Sequence, residues 1–551
     1  MKNYDELTAQ LLFNRGFKTK KSADEFLHPD YEKLHDPYLL KDMKKAVGRI
    51  TKAIEKREPI VVYGDYDVDG VTATAILYRS LKELGADVRF YIPDRMKEGY
   101  GMNVSAIDAL ADEGAKLIIT VDNGISSHKE VLHAKKRKID IVVTDHHEIT
   151  KENVPEGFAV INPKQKGDKY PCKDLCGAGV AFKLVTALVA AYEKKKIVQP
   201  LSLGKLKWYL DLTALGTISD VVSLVDENRI IVSFGLKVLA KTRNIGLQSL
   251  AYVAGIDLEK SDPYTVGFQI GPRLNAAGRM AHATTALELL ITEDRGLAEM
   301  LALRLERLNR ERQDTVADSL EILKSEYAER ELESILVLKN DEWSVGIIGL
   351  IAGRMSEEFA RPVFALAYDG KVLKGSIRSS INFSVIDALT ANKDIFLGYG
   401  GHRAAGGFSL HTENFEIFRE KIIEYGDSIL TEKDFVKNLE VEGEMDFEKI
   451  NSETYENIKK LQPFGAGNRE PIFATMGVKV KETKRMGEEG KHLRLVLVSG
   501  GREINAVAFG MGDLATDLYY GRDIDVAYTI SENIWGERRR IEIRVKDVRI
   551  Q

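Results

Sequence analysis

The stretch Val61-Val62-Tyr63-Gly64-Asp65-Tyr66-Asp67-Val68-Asp69-Gly70 decides the fold of this chain. Together with Pro59-Ile60 it opens as a buried β-strand, a short apolar run without polar alternation. The strand leads directly into a loop with three alternating carboxylates, Asp65, Asp67 and Asp69. Acids this close repel one another, so they stay ionised only around a positive charge. Oxygen ligands at that density suit a hard divalent cation, Mg²⁺ or Mn²⁺, more readily than zinc.

A calcium loop is the rival reading. Asp65, Asp67, Asp69 and Gly70 match positions 1, 3, 5 and 6 of an EF-hand, but the bidentate glutamate required at position 12 is Ile76. A strand precedes the loop instead of a helix, and the Ala and Leu spacing from Val71 to Leu84 suits a helix packed on a sheet. The EF-hand reading fails on both counts.

Around this stretch, short Val- and Ile-rich runs alternate with helical segments. Val61–Tyr63, Val88–Ile92, Leu117–Val121 and Ile139–Thr144 read as strands of a parallel sheet covered on both faces. Ligands of such sheets bind beyond the carboxyl ends of the strands. Three strands end there in candidate ligands: Asp65, Asp67 and Asp69; Asp122 before the turn residues Asn123-Gly124; and Asp145-His146-His147. Singly, each is an ordinary turn or packing feature; arriving together at one sheet edge, they point to a metal site.

Bulk composition narrows the class. The chain has 551 residues and a net charge of −5, so any nucleic-acid binding must come from local basic patches. Its two cysteines, Cys172 and Cys176, offer half a zinc site at most and read as reduced thiols of a cytoplasmic protein. The N-terminus does not read as a signal peptide, and no apolar run approaches the ~20 residues that span a bilayer.

Five regions follow: an N-terminal helical segment (1–45), a catalytic α/β domain (46–230), a helical region with a long charged helix over about 293–331 (231–331), a second α/β domain (332–432) and a C-terminal β-barrel (437–551). In the second α/β block, Ile335–Leu338 and Val363–Ala367 are the expected strands. The helix arginines Arg304, Arg307, Arg310 and Arg312 read as a solvated face. Ser376 and Arg378 lie among small residues suited to phosphate, and the glycines before His402, Gly401 included, would let backbone amides approach an anion.

The Asp67-Val68-Asp69 loop, Asp122, Asp145-His146-His147 and Ile218-Ser219-Asp220-Val221-Val222 resemble the four motifs of the DHH phosphohydrolases. Within that superfamily the chain is most similar to the RecJ family of single-strand-specific DNA exonucleases. Gly271-Pro272-Arg273-Leu274-Asn275-Ala276-Ala277-Gly278-Arg279, the Gly400–Gly407 segment and Leu461–Asn468 extend the likeness over most of the chain. The resemblance implies a DHH domain joined by the long helix to a DHHA1-type domain, then an OB-fold. It also implies hydrolysis of single-stranded DNA from the 5′ end, with two divalent cations, Mn²⁺ or Mg²⁺.

On that resemblance Asp122 bridges the ions, with Asp67 on one and Asp69, His146 and Asp220 on or near the other. Asp65 assists, Asp145 orients His146, and His147 faces the scissile phosphate. Arg273, Asn275 and Arg279 resemble substrate-strand contacts, and Arg95 is a candidate for the terminal phosphate. Trp535, Arg538, Arg539, Arg540, His492 and Phe509 are candidate barrel contacts to DNA. A single-strand-binding protein and a helicase are expected partners of a monomeric enzyme without membrane attachment.

Two departures stand out. Tyr63 occupies a position where relatives often carry a metal-binding histidine, and Trp343-Ser344-Val345-Gly346 lacks the histidine common after that tryptophan. The competing functions are a small-substrate phosphodiesterase acting on oligoribonucleotides or cyclic dinucleotides, and a non-catalytic replication scaffold.

Overall fold

The computed structural model describes residues 4–149, 153–197, 199–535 and 538–551, with the side chains of 534, 535 and 538 outside the description. Trp535 and Arg538 as DNA contacts therefore lie outside the described residues. The chain forms two compact units, one of His35–Val222 with Ile231–Lys437, the other of Met1–Leu34, Ser223–Ile230 and Asn438–Gln551.

The larger unit is built on a five-stranded sheet. Strands β1 (Ile60–Tyr63), β2 (Val88–Tyr91), β3 (Leu117–Val121), β4 (Asp140–Thr144) and β5 (Ala159–Ile161) lie in the order β2-β1-β3-β4-β5. All four pairings are parallel, and β1 and β3 are buried at every residue, as strands covered on both faces must be. The helix Val68–Glu83 starts where Asp67 caps it, its side chain accepting from the Gly70 N–H.

The Arg295–Ala328 helix, capped by Asp294, runs for 34 residues, or about 51 Å at 1.5 Å per residue. It leads to a second sheet of β6 (Leu336–Lys339), β7 (Val363–Tyr368), β8 (Leu373–Arg378), β9 (Gly398–Gly401) and β10 (Ala405–Leu410), ordered β6-β7-β8-β10-β9. Only β6 and β7 run parallel; the other pairs are antiparallel, with β10 inserted between β8 and β9.

The smaller unit is a barrel of β11 (Gly443–Glu444), β12 (Phe473–Met486), β13 (His492–Ser499), β14 (Arg502–Ala508), β15 (Asp523–Trp535) and β16 (Arg538–Ile550). Pairing of β12 with β15 closes β12 to β16 into a ring, with β11 a two-residue parallel addition to β12.

The division differs from the expected domains at two places. Residues up to Leu34 are not a separate segment: Leu11, Leu12 and Phe26 share one core with Phe447, Leu461 and Tyr528 of the barrel unit. The reason is amphipathicity, because two short helices cannot bury an apolar stripe alone. Ser223–Ile230 also belongs to this unit, where buried Arg229 donates to the carbonyls of Phe26, Leu461 and Gln462.

Candidate metal centre

Each acid is delivered by a local device. Asp65 follows β1 and is buried, while Asp67 is the helix cap and Asp69 lies in the first turn of Val68–Glu83. Asp122 ends β3 in the left-handed region at φ 62°, and Val221, beside Asp220, has φ 58°. Non-glycine residues rarely adopt this backbone, least of all a β-branched one, so the surrounding fold must impose it.

Asp69 is fixed from across the fold. Its carboxylate accepts the N–H groups of Gly177 (2.5 Å) and Ala178 (2.8 Å) at the start of the Gly177–Lys194 helix, where backbone donors lack partners of their own. Glycine is required twice around it. A Cβ at Gly177 would lie 2.5 Å from the Asp122 Cβ, and one at Gly216 would lie 2.5 Å from Asp69 Oδ1.

Three groups of ligand atoms result, each within 4.8 Å: Asp65, Asp67 and Asp122; Asp69, His146 and Asp220; and Asp122, His146 and His147. The His146 Nε2 lies 3.1 Å from Asp122 Oδ1, 3.5 Å from Asp220 Oδ2 and 3.7 Å from Asp69 Oδ2. Asp122 and His146 each belong to two groups. Tyr63 joins none of them, for its hydroxyl donates to the Gly101 carbonyl (3.2 Å); Asp65 stands with Asp67 and Asp122 instead.

The arrangement around Asp145 corrects an expectation. Its carboxylate accepts from His147 Nδ1 at 2.7 Å, and from the backbone N–H groups of Ile125, His146 and His147. It therefore orients the ring of His147, not that of His146. Successive residues project differently, so one carboxylate reaches only one of two neighbouring imidazoles.

The electrostatics call for cations. Burial and the neighbouring acids push Asp65 and Asp122 well above the usual carboxylate range, Asp69 up to about 6 and Asp220 to about 8. Burial and the charge of His147 push His146 down to about 3, leaving it a neutral imidazole with a free lone pair. Burial opposes charge on His147 as well, but its bond to Asp145 outweighs this and holds it at about 9.

Asp65 Oδ1, Asp122 Oδ1 and His146 Nε2 are buried without a hydrogen-bond partner. Such orphaned acceptors are tolerated only where something else satisfies them. An oxygen-rich donor set with imidazole fits a pair of Mn²⁺ or Mg²⁺ ions.

Beside this centre lie cations. Arg279 is pushed down to about 9 by burial and by Arg95, Arg312 and Arg378; burial and Arg95 likewise lower Arg378. Arg95 stacks over the Tyr66 ring at 4.9 Å, and Arg279 Nη1 donates to the Gly346 carbonyl. The Trp343–Gly346 loop thus touches this cluster. Mutual repulsion among four guanidinium groups is relieved by an anion. Arg312, read from sequence as a solvated residue, belongs to this cluster, being half-buried with Nη2 on Asn309 Oδ1. Ser376 Oγ accepts from Arg378 Nη1.

Other expected contacts are turned into the protein. Arg273 pairs with Glu306 (2.6 Å) and donates to the Gln269 carbonyl, and Glu306 also holds Arg310. Asn275 Oδ1 accepts the Val68 N–H at 3.1 Å, so it braces the metal loop. Gly401 and His402 form the exposed turn between β9 and β10.

Sequence reasoning missed Gly177, Gly216 and Tyr100, whose hydroxyl donates to the Asp122 carbonyl and touches the His147 ring. The small run Cys176-Gly177-Ala178-Gly179 before a long apolar segment was the available signal for a helix start with open amides. In the barrel, Lys484, Arg494 and Arg540 line a cleft of about 620 Å³, and exposed Phe509 packs edge-on against His492.

Comparison with known proteins agrees along the chain. Residues 59–217 match the DHH family N-terminal domain, 332–426 the DHHA1 domain and 441–547 the RecJ OB domain. The single-stranded-DNA-specific exonuclease RecJ of Bacillus subtilis is 37% identical over 550 residues, covering 99% of this chain and 68% of that protein. RecJ of Haemophilus influenzae is 33% identical, covering 96% of this chain and 94% of its own length. The crystal structure of Thermus thermophilus RecJ with Mn²⁺ superposes with a TM-score of 0.84 at 33% identity, over 99% of this chain and 76% of that one. The Mg²⁺ complex of that protein matches at 0.78 and 32%, over 99% of this chain and 74% of that one.

Proposed function

Because the chain belongs to the RecJ family of single-stranded-DNA-specific exonucleases, we propose that it removes mononucleotides from the 5′ end of single-stranded DNA. The observation that carries this reading is the sharing of Asp122 and His146 between ligand groups, beside four crowded guanidinium groups.

In this reading Asp65, Asp67 and Asp122 would hold one cation, and Asp69, Asp122, His146 and Asp220 would hold the other. When bound, such a pair acidifies water toward neutral pH and neutralises charge on the phosphate. His147, kept protonated by Asp145, directs a proton on Nε2 toward a phosphate oxygen, while Tyr100 bounds its ring. Arg95 and Arg378, with Ser376, take the terminal 5′-phosphate through charge-assisted hydrogen bonds. Arg279 neutralises the next phosphate. The match of residues 441–547 to the RecJ OB domain supports long single strands over small dinucleotide substrates. Cytoplasmic location, monomeric state and recruitment by a single-strand-binding protein or helicase are the finer parts of the same reading, drawn from the family likeness.

End-labelled substrates test the proposal. With Mn²⁺, 5′-labelled single-stranded DNA should release labelled mononucleotide as its first product, while 3′-labelled DNA shortens progressively. Mononucleotides released first from the 3′ end, or equal attack on blunt duplex, would overturn it.

A further inference from the structure

A second cationic pocket lies elsewhere on the catalytic body, of about 240 Å³ and walled by Arg79, Lys205, Trp208, Tyr209 and Arg243. It lies at the far ends of two helices that carry metal-centre residues. Val68–Glu83 bears Asp69 in its first turn and Arg79 near its end; Leu210–Ser219 begins beside Tyr209 and is capped by Asp220. Ten residues of helix separate Asp69 from Arg79, about 15 Å at 1.5 Å per residue. A phosphate held at the metal centre does not reach it.

Two guanidinium groups there are fixed in place. The Arg243 guanidinium carbon sits 3.8 Å from the centre of the Trp208 ring, and that of Arg79 lies 5.5 Å from the centre of the Tyr209 ring. Among the described residues, Arg243 has neither a hydrogen-bond nor an ion-pair partner; Lys205 has only the Pro200 carbonyl (2.6 Å), and Arg79 only a 3.5 Å contact to the Leu290 carbonyl. The two acids that share the pocket are already occupied. Glu83 accepts from the Tyr209 hydroxyl at 2.8 Å, and buried Asp211 accepts from Thr242 Oγ1 and the Leu212 N–H. Arg79 acts on the charge of Asp211, but Arg243 and Lys205 have no carboxylate partner among the described residues, so three cations against two acids leave the walled space net positive.

The occupant is therefore anionic, and it is small, because the volume lies below the roughly 300–1,000 Å³ of drug-sized sites. A guanidinium stacked on indole offers a planar face to a nucleobase and in-plane donors to a phosphate. We propose that this pocket is a second site, separate from the metal centre, that binds a nucleoside monophosphate. The proposal does not depend on the polarity or the products of hydrolysis.

The test is calorimetric titration of the full-length protein, in chelator, with dAMP, dTMP, inorganic phosphate and pyrophosphate, alongside tryptophan fluorescence to report on Trp208. The titrations use the Arg378→Ala background, which disables the other phosphate-binding cluster, and mononucleotides should still bind there. Arg243→Ala combined with Lys205→Ala should weaken it at least tenfold, as loss of charge-assisted contacts requires. Arg243→Lys guards against misfolding: keeping the charge but losing the planar stack, it should lose affinity for mononucleotides while retaining affinity for phosphate. Unchanged binding in the double variant would overturn the site, as would loss of binding in Arg378→Ala alone. Phosphate binding as tightly as the mononucleotides, or a short acidic peptide binding where mononucleotides do not, would overturn the assignment of its ligand.

Discussion

A methyl group added at Gly177 would meet the Asp122 Cβ at 2.5 Å and its Cγ and Oδ1 at 2.7 Å. Ordinary contact begins near 3.4 Å, so the Gly177→Ala variant must displace one partner by about 0.9 Å. Asp122 has little freedom to yield, since its backbone is at φ 62° and its N–H donates to the Thr144 carbonyl at 3.1 Å. The Gly177 N–H in turn holds Asp69, so movement on either side disturbs a metal carboxylate. Two effects oppose each other in stability: alanine gains at most about 1 kcal/mol of helix propensity over glycine, whereas overpacking costs about 1–3 kcal/mol. Overpacking wins, and the variant should be modestly less stable.

Activity is the sharper readout. A misplacement near 1 Å costs about a hundredfold in rate, and disturbed support of metal ligands costs about 10–100-fold in metal affinity. Initial rates on labelled single-stranded DNA, measured across a Mn²⁺ series, should show kcat lower by about a hundredfold and Mn²⁺ half-saturation raised by at least about tenfold. DNA binding in chelator should be unchanged. A variant with rate and half-saturation within about twofold of the parent would refute the reasoning, because then Gly177 would not set the position of Asp122.

Four further outcomes follow from the same geometry. Asp122→Ala should lower hydrolysis by more than about a thousandfold, since both ions lose a ligand, while gel-shift affinity for single-stranded DNA persists; a rate near the parent's would contradict the shared-ligand arrangement. Asn275→Ala removes the acceptor of the Val68 N–H and should weaken Mn²⁺ binding about tenfold by calorimetry without changing the protein's fold by circular dichroism. Arg378→Ala should raise KM for 5′-phosphorylated DNA by about tenfold or more, and leave 5′-hydroxyl DNA nearly unaffected; equal effects on both ends would remove Arg378 from phosphate recognition. In the ion-free protein, His147 titrates near about 9, Asp220 near about 8 and Asp69 near about 6. All three bind more protons folded than unfolded, so their stabilisation is present at low pH and lost as pH rises through those values. The thermal midpoint in chelator should therefore fall from mildly acidic pH toward about 9, with Mn²⁺ restoring more at higher pH; a flat profile would count against the crowded-carboxylate centre.

Much of the centre was legible because its residues announce themselves locally. Asp65 and Asp67 lie just beyond β1, while Asp122 and Asp145 directly follow β3 and β4, and a parallel sheet brings such strand ends to one edge. The second α/β block and the barrel were legible by the same periodicity. Long-range packing was not. Nothing near Arg273 in sequence reveals its partner Glu306, and nothing near Asn275 reveals that its side chain accepts the Val68 N–H. The early helices looked independent because their partner core lies more than 400 residues away.

By itself, the sequence determined the chemistry on offer: a strand ending in alternating carboxylates, partners at two other strand ends, and a parallel sheet to collect them. It could also exclude an EF-hand calcium loop, since Ile76 stands where a glutamate is needed. Only the tertiary structure decided which groups share a ligand, that Asp145 serves His147, that Tyr63 turns to Gly101, and that Gly177 and Gly216 must lack a Cβ. The reason is physical. Ligand type and strand periodicity are written in neighbouring residues, whereas distances of 2.5–4 Å between side chains remote in sequence arise only when close-packed elements come together.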